Sequence, residues 1–304
     1  MLQRKSYIKE GTLYFLIAIP FLIYIFMFSY VTLFGWSYAF INFRPALGAN
    51  PFVHEFVGFR FFTQLWNDRT EIWRVLQNTL AMSFLGLIVS PLTVGLAILM
   101  MELRGRFLKR FVQTITTFPN FISWVIVFGI SFTFFSNRGV FADFLVLLGF
   151  ERQTMSVLAN RDAAWYFQTA LGMWKGMGWG AIIYCAAIAG IDESLYEAAQ
   201  IDGASRFKCV LHITIPGIAQ TYLVLLLLSI SNILSNNFEQ IFVFMNNIVA
   251  PRLQNIDYYA YRMGMQQAQW SYSVAIGIVK SIVGLILLFS VNSIAKRVRE
   301  QSII

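Results

Sequence analysis

The sequence predicts an all-α polytopic membrane protein with six transmembrane helices, and three observations carry that prediction. Hydrophobic residues make up 58% of the chain and charged ones only 12%, a balance too apolar for soluble domains. Six segments each offer about 20 mostly apolar residues, the length that crosses a bilayer core. Basic residues crowd the short segments on one side of those spans and are diluted along the long loops on the other, the asymmetry that orients membrane helices.

In chain order the spans run from Leu13 to Tyr38, Val75 to Met101, Phe107 to Phe135, Ala163 to Ala189, Thr214 to Leu234 and Ser271 to Ala295. Each has to be helical, because backbone groups in lipid find partners only within their own segment. The first follows Arg4, Lys5 and Lys9, as a signal peptide would. Its apolar run is too long for a cleavable signal, so it reads as a retained helix. With the amino terminus inside, Arg104, Arg106, Lys109, Arg110, Arg206, Lys208, Lys296, Arg297 and Arg299 all fall on inner segments. Both termini and the polar stretch Ser194 to Pro216 are then cytoplasmic. The loop after the first span mixes Pro45, Pro51 and Gly58 with Phe52, Phe59, Phe61, Phe62 and Trp66, more aromatic than a disordered linker. It is expected to fold over the outer mouth or lie in the interface. The net charge of +8 does not form the basic stripe of a nucleic-acid binder.

Ser194 to Pro216 is the one polar, motif-bearing interruption. Ser194 and Glu197 have capping-box spacing, so a helix is expected to start there. Gly203 is placed to end it in a left-handed turn. A second short helix, Ala204 to Ile213, is expected to lead to Pro216 at the first turn of the next span. Glu197-Ala198-Ala199, three residues, Gly203, nine residues, then Ile213-Thr214-Ile215-Pro216 resembles the EAA loop of ABC importer permeases, with Ile215 where that pattern has leucine. The resemblance implies a type I ABC importer permease fold. It also implies a cytoplasmic loop, residues 190–216, whose Glu197, Ala198, Ala199, Asp202, Gly203 and Ala204 dock on an ATP-hydrolysing subunit. The opening Asn78-Thr79-Leu80 is similar to the start of the permease domain in that family. The chain accordingly divides into 1–74 (amino terminus, first helix and outer loop), a five-helix core at 75–295, and a cytoplasmic tail at 296–304.

Chemistry of other kinds finds no residues to carry it. Gly172, Gly176, Gly178 and Gly180 lack the Lys-Ser/Thr ending of a phosphate loop, so this chain is not expected to hydrolyse ATP. Gly176 and Gly180 read instead as a small-xxx-small packing pair. His54 and His212 have no partners at metal or triad spacing, and Cys185 and Cys209 suggest neither a disulfide framework nor a metal pair.

Polar residues inside apolar segments are the candidates for a translocation path. Lys175 and Lys280 sit near the middle of the fourth and sixth spans, each open to a path role or to structural pairing. Asn232, Ser235, Asn236, Asn237, Glu239 and Gln240 follow the fifth span, with Phe238 and Phe242 among them. Amides and a carboxylate beside aromatic faces suit a sugar, and equally a solvated helix end. Phe238-Glu239-Gln240 and Tyr259-Ala260-Tyr261-Arg262 resemble stretches in the oligosaccharide and polysaccharide branch of carbohydrate-uptake permeases. That resemblance implies a bacterial cytoplasmic-membrane permease for an oligosaccharide, with no cofactor of its own and with ATP and Mg bound by partner subunits. The implied partners are a second, preferably different, permease, two ATP-binding cassette subunits, an extracytoplasmic solute-binding protein and membrane lipid. The rival readings are a permease for a non-sugar solute, an ion-gradient-driven carrier that would use Lys175 or Lys280, and a membrane enzyme.

Overall fold

A computed structural model describes residues 2–149, 156–235 and 237–299. Among these the chain is helical, with one isolated antiparallel bridge between Ile41 and Phe56. Its helices are α1 (Leu2–Ile25), α2 (Arg60–Asn67), α3 (Arg69–Glu102), α4 (Arg106–Thr117), α5 (Trp124–Phe135), α6 (Val140–Leu147), α7 (Ala164–Ala189), α8 (Glu193–Ile201), α9 (Arg206–Cys209), α10 (Ile215–Ser231), α11 (Phe238–Phe244), α12 (Ala250–Leu253), α13 (Ile256–Tyr261) and α14 (Trp270–Arg299). Among the described residues, five helical stretches are long and apolar enough to cross a membrane: Thr12–Phe40, Arg69–Glu102, Trp124–Leu147, Arg206–Ser231 and Trp270–Ser290. The predicted fourth span forms as the 26-residue α7. Carrying Gln168, Lys175 and several glycines, it does not reach the apolarity of the other five.

The predicted span from Phe107 to Phe135 is not one helix. Pro119 has no amide to continue α4, and the chain passes through a 3-10 turn, Phe118–Phe121, before Ser123 caps α5 by accepting from the Ile126 amide at 3.4 Å. A break amid apolar helices frees carbonyls that lipid cannot satisfy. Here the Lys175 ammonium donates to the Asn120 carbonyl at 2.8 Å and lies 5.4 Å from the centre of the Trp124 ring.

The chain divides into two compact units, Met1–Arg69 with Ala260–Val279, and Thr70–Tyr259 with Lys280–Ile304. In the first, the aromatic loop after α1 is ordered by its own hydrogen bonds. Asn42 N–H reaches the Glu55 carbonyl at 2.8 Å, and the His54 ring bridges the Arg44 amide (3.4 Å) and the Gly48 carbonyl (3.1 Å). Ser271 at the start of α14 donates to the Ile41 carbonyl at 2.6 Å and accepts from the Phe43 amide at 3.0 Å. Ala39, Ala275 and Ile278 are buried there against Phe40, Phe61 and Phe62.

The second unit is organised along α3, whose 34 residues span about 50 Å at 1.5 Å each. Near its start the buried Asn78 amide donates to the carbonyls of Pro251 (3.1 Å) and Gln254 (3.0 Å), while Thr79 Oγ1 accepts from the Ile256 amide at 3.0 Å. Two adjacent side chains thus pin the irregular α12–α13 segment to α3. Further along, Ala97 and Met100 pack with Ala181, Tyr184, Ile188 and Ile218.

The glycines of α7 divide differently from the expected Gly176–Gly180 pair. A Cβ on Gly178 would lie 2.0 Å from the Thr116 carbonyl oxygen, and one on Gly180 would lie 3.1 Å from Thr93 Cγ2, whereas one on Gly176 meets nothing within 4 Å. Backbone contact between α4 and α7 therefore rests on Gly178. Gly178→Leu is expected to cost at least about 3 kcal/mol, the upper range for overpacking, and Gly176→Ala to leave stability unchanged. Thermal unfolding of the two detergent-solubilised variants checks this, and equal melting temperatures would overturn it.

Candidate functional site

The polar loop that follows α7 is built as a rigid, closed turn. Asp192, not Ser194, caps α8: its carboxylate accepts the Ser194 amide at 3.0 Å, so the helix begins at Glu193 and the expected Ser194–Glu197 capping box is replaced by a cap two residues earlier. That backbone hydrogen bond, with a second contribution from the Ser194 side chain, holds the Asp192 carboxyl below its ordinary value of 3.8. At the other end the Ala204 amide returns to the Ala199 carbonyl (2.8 Å) and the Gly203 amide to the Gln200 carbonyl (3.1 Å), with Gly203 at φ +73°. This is the paired 6→1 and 5→2 closure that requires a left-handed residue, and glycine takes that conformation without a Cβ penalty.

The second short helix expected over Ala204 to Ile213 does not stand alone. Helix α9 begins at Arg206 and runs through a π turn, Val210–Thr214, directly into α10, so Arg206–Ser231 is one helical stretch with Pro216 in the first turn of α10. Three contacts fix the loop to its base. Tyr196 Oη and the buried Thr214 Oγ1 are 2.9 Å apart. Gly217 lies so close under Ile191 that a Cβ there would sit 2.6 Å from Ile191 Cδ1. Arg206 pairs with Glu102 at the end of α3 at 3.7 Å. Held this way, the loop leaves Ile201 87% and Phe207 75% exposed, beside exposed Glu197, Ala198, Asp202 and Gly203. Ala199 and Ala204 are half-buried.

Midway along α3 and α7 lies a cavity of about 360 Å³, lined by Met82, Gly86, Val89, Ser90 and Thr93 of α3, by Gln168, Thr169, Gly172, Met173, Gly176 and Met177 of α7, and by Ser235, Asn237, Gln240 and Ile241. None of these lining side chains is charged. Buried Gln240 donates from Nε2 to both the carbonyl and Oε1 of Gln168, each at 2.8 Å. Asn237 caps α11 by accepting the Gln240 amide at 3.4 Å. Gly172 faces the pair, and a Cβ there would stand in ordinary contact with Gln240 Oε1, at 3.5 Å. Hydroxyl and amide groups alternating with the flexible, polarisable Met82, Met173 and Met177 can exchange hydrogen bonds with a hydroxylated solute without a deep charged trap.

Of the candidates drawn from sequence, Asn237 and Gln240 line this cavity. Asn232 instead donates to the Leu228 carbonyl of its own helix at 3.0 Å, and Glu239 is exposed outside the lining. Lys175 serves the Asn120 carbonyl, and Lys280 pairs with Asp257 at 2.5 Å. Asn236 lies outside the described residues. Sequence reasoning passed over Thr93, Gln168, Thr169 and the three methionines. A signal was present: Gln168, Gly172 and Gly176 recur every four residues and so share one face of α7.

Comparison with known proteins follows the same outline. Residues 90–300 match the family described as binding-protein-dependent transport system inner membrane component. The chain is 37% identical over 300 residues to Protein LplB of Bacillus subtilis (strain 168), covering 97% of this chain and 92% of that protein. It is also 37% identical over 298 residues to the polygalacturonan/rhamnogalacturonan transport system permease protein YteP of the same organism, covering 97% and 91%. Among solved structures, it superposes with a TM-score of 0.85 and 31% identity on a chain from the crystal structure of a bacterial ABC transporter involved in the import of the acidic polysaccharide alginate, covering 97% and 98%. A structure of a bacterial alginate transporter with an alginate pentasaccharide-bound periplasmic protein matches with the same score over 98% and 99%.

The depressed Asp192 carboxyl makes its own cap pH-dependent. Because its folded value lies below the unfolded one, the cap is fully formed above the ordinary carboxylate range and is lost only as pH falls through the lower folded value. Asp192→Ala is expected to speed amide hydrogen exchange over 193–197 at neutral pH, with the difference from wild type disappearing only below 3.8. Identical exchange at neutral pH would remove the cap from the account.

Proposed function

The chain belongs to the inner membrane components of binding-protein-dependent transport systems, and from that premise we propose that it is one of two permease subunits of an ATP-driven importer for an oligosaccharide. It is not itself an enzyme: in this family ATP hydrolysis belongs to a separate subunit. An extracytoplasmic solute-binding protein delivers the sugar, a second and different permease completes the pore, and two cassette subunits bind ATP and Mg. Residues 75–295 carry transport, and 1–74 brace them. Both termini and the 190–216 loop face the cytoplasm, the orientation that the crowded basic residues favour.

The observation that carries this reading is the stretch from Asp192 to Phe207, its first helix closed at both ends and the whole tied to α3 and α10, yet with Ile201 and Phe207 bare. A segment so constrained moves as a body. Closure of ATP-bound partner subunits on Glu197, Ala198, Ala199, Asp202, Gly203 and Ala204 therefore swings α10 and the end of α3, shifting access to the Gln240 cavity from one membrane face to the other. Asn237 and Gln240 meet the passing sugar. Asn232, Glu239, Lys175 and Lys280 support the path from outside its lining, and Asn236 is a candidate for it by its place in the sequence alone.

Two variants test the mechanism. Gly203→Val places a β-branched side chain at positive φ, which costs roughly 1–2 kcal/mol or more and distorts the turn, and Glu197→Lys reverses the charge on the exposed face. Both are expected to insert normally and to abolish oligosaccharide uptake and sugar-stimulated ATP turnover in the assembled importer. Wild-type uptake by either variant refutes transmission through this loop.

A further inference from the structure

Helix α4 rests on the protein with one side and leaves the other bare. Lys109, Val112 and Thr116 recur at three and four residues and turn inward: the Lys109 ammonium donates to Met101 Sδ at 3.0 Å, Val112 packs on the cluster around Met100 and Tyr184, and the Thr116 carbonyl takes the close approach of Gly178. The opposite side carries Phe107 (83% exposed), Phe111 (52%), Ile115 (54%) and, just past the helix end, Phe118 (62%). Steps of four, four and three residues put them in one stripe. From Phe107 to Phe118 that stripe rises about 16 Å at 1.5 Å per residue, close to the roughly 15 Å that one leaflet contributes to the hydrocarbon core of a bilayer. The Phe107 and Phe111 rings lie nearly parallel, with 12° between their planes and 6.3 Å between their centres, and so begin the stripe with a smooth apolar wall.

Charge is added at one end of the stripe only. Arg106 and Arg110 are exposed and four residues apart, so they stand one above the other beside Phe107 and Phe111. Helix α4 contains no acid, and Glu102, the acid nearest in sequence, is taken by Arg206 at 3.7 Å. Among the described residues neither Arg106 nor Arg110 pairs with a carboxylate. Like charges one turn apart repel, and an anion shared between them removes that cost. Guanidinium groups meet a phosphate through parallel N–H donors. The ligand that fits this face is therefore an anion joined to about 15 Å of hydrocarbon.

We infer that this face of α4 binds an anionic phospholipid, its phosphate held by Arg106 and Arg110 and an acyl chain lying along Phe107, Phe111, Ile115 and Phe118. A zwitterionic lipid offers the same chain but brings an ammonium of its own, which the two arginines repel. A protein partner would have to supply both an acidic group and an apolar ridge of leaflet depth, whereas a single phospholipid carries the two already joined. The inference goes beyond the transport reading and does not depend on it.

The test uses the full-length chain in phosphatidylcholine nanodiscs doped, at equal mole fraction, with photoactivatable phosphatidylglycerol or phosphatidylcholine carrying the same diazirine-labelled acyl chain. After irradiation, lipid cross-linked to residues 106–118 is measured by peptide mass spectrometry. Phosphatidylglycerol is expected to label this stretch about 25-fold more than phosphatidylcholine, roughly fivefold for each basic residue near the surface. Arg106→Gln and Arg110→Gln are each expected to lower the phosphatidylglycerol yield about fivefold and leave the phosphatidylcholine yield unchanged. Arg106→Lys and Arg110→Lys, which keep the charge, are expected to retain most of it. Labelling of the Thr12–Phe40 span is expected to stay the same in every variant. Equal labelling by the two lipids in the wild-type chain, glutamine variants that label as wild type does, or an equal fall for both lipids overturns the inference. So does loss of the label when the chain is assembled with its partner subunits, with residues 106–118 cross-linking to a neighbouring permease instead.

Discussion

Wherever a helix breaks within an apolar bundle, it releases backbone donors and acceptors that lipid cannot satisfy, and the break survives only if a side chain from elsewhere meets them. Much of the second unit follows from that constraint. Lys175 meets the carbonyl freed at Asn120, Asn78 those of Pro251 and Gln254, Thr79 the Ile256 amide, and Ser83 the Ile233 carbonyl at 2.5 Å. Each bond links residues far apart in sequence. The polar side chains of the spans are therefore spent first on holding irregular backbone in place, and only what remains is available to a solute.

This division explains why the most conspicuous intramembrane charges are not in the cavity. A lysine in an apolar helix is costly unless it is paired, and both Lys175 and Lys280 have found partners, a carbonyl with an indole face in one case and Asp257 in the other. The cavity is left to neutral groups. Gly172 and Gly176 open it, and Gln240 borders it through a bond to Gln168 that a solute hydroxyl can imitate. The 190–216 loop shows the opposite economy, with its backbone closed on itself and its apolar side chains bare. One end of α3 thus meets a closed loop with bare apolar side chains, and its middle lines an uncharged cavity.

Local devices depend on atoms close in sequence. Gly203 is legible from its sequence because a left-handed turn after a helix has few solutions, and it stands at φ +73° as that rule requires. The cap was legible in kind but not in position. Asp192 and Ser194 are both good caps, and what chooses between them is where α7 ends, at Ala189, which sequence periodicity does not resolve to the residue. The predicted third span ran one helix through Pro119, where the structure breaks it. Whether a proline kinks a helix or ends it depends on what satisfies the freed carbonyl, and here that is a lysine 55 residues away.

By itself the sequence determined the class of the protein, its apolar spans, the left-handed turn at Gly203 and the spacing of the loop around it, because hydropathy and turn chemistry act over a few residues at a time. Only the tertiary structure decided which polar residues face the cavity, which glycine carries the α4–α7 contact, and which cations are paired. Those outcomes depend on the neighbour a side chain meets across the bundle. Gly176 and Gly178 are two residues apart on one helix, and the Thr116 carbonyl, 2.0 Å from where a Cβ on Gly178 would stand, is what gives them different work.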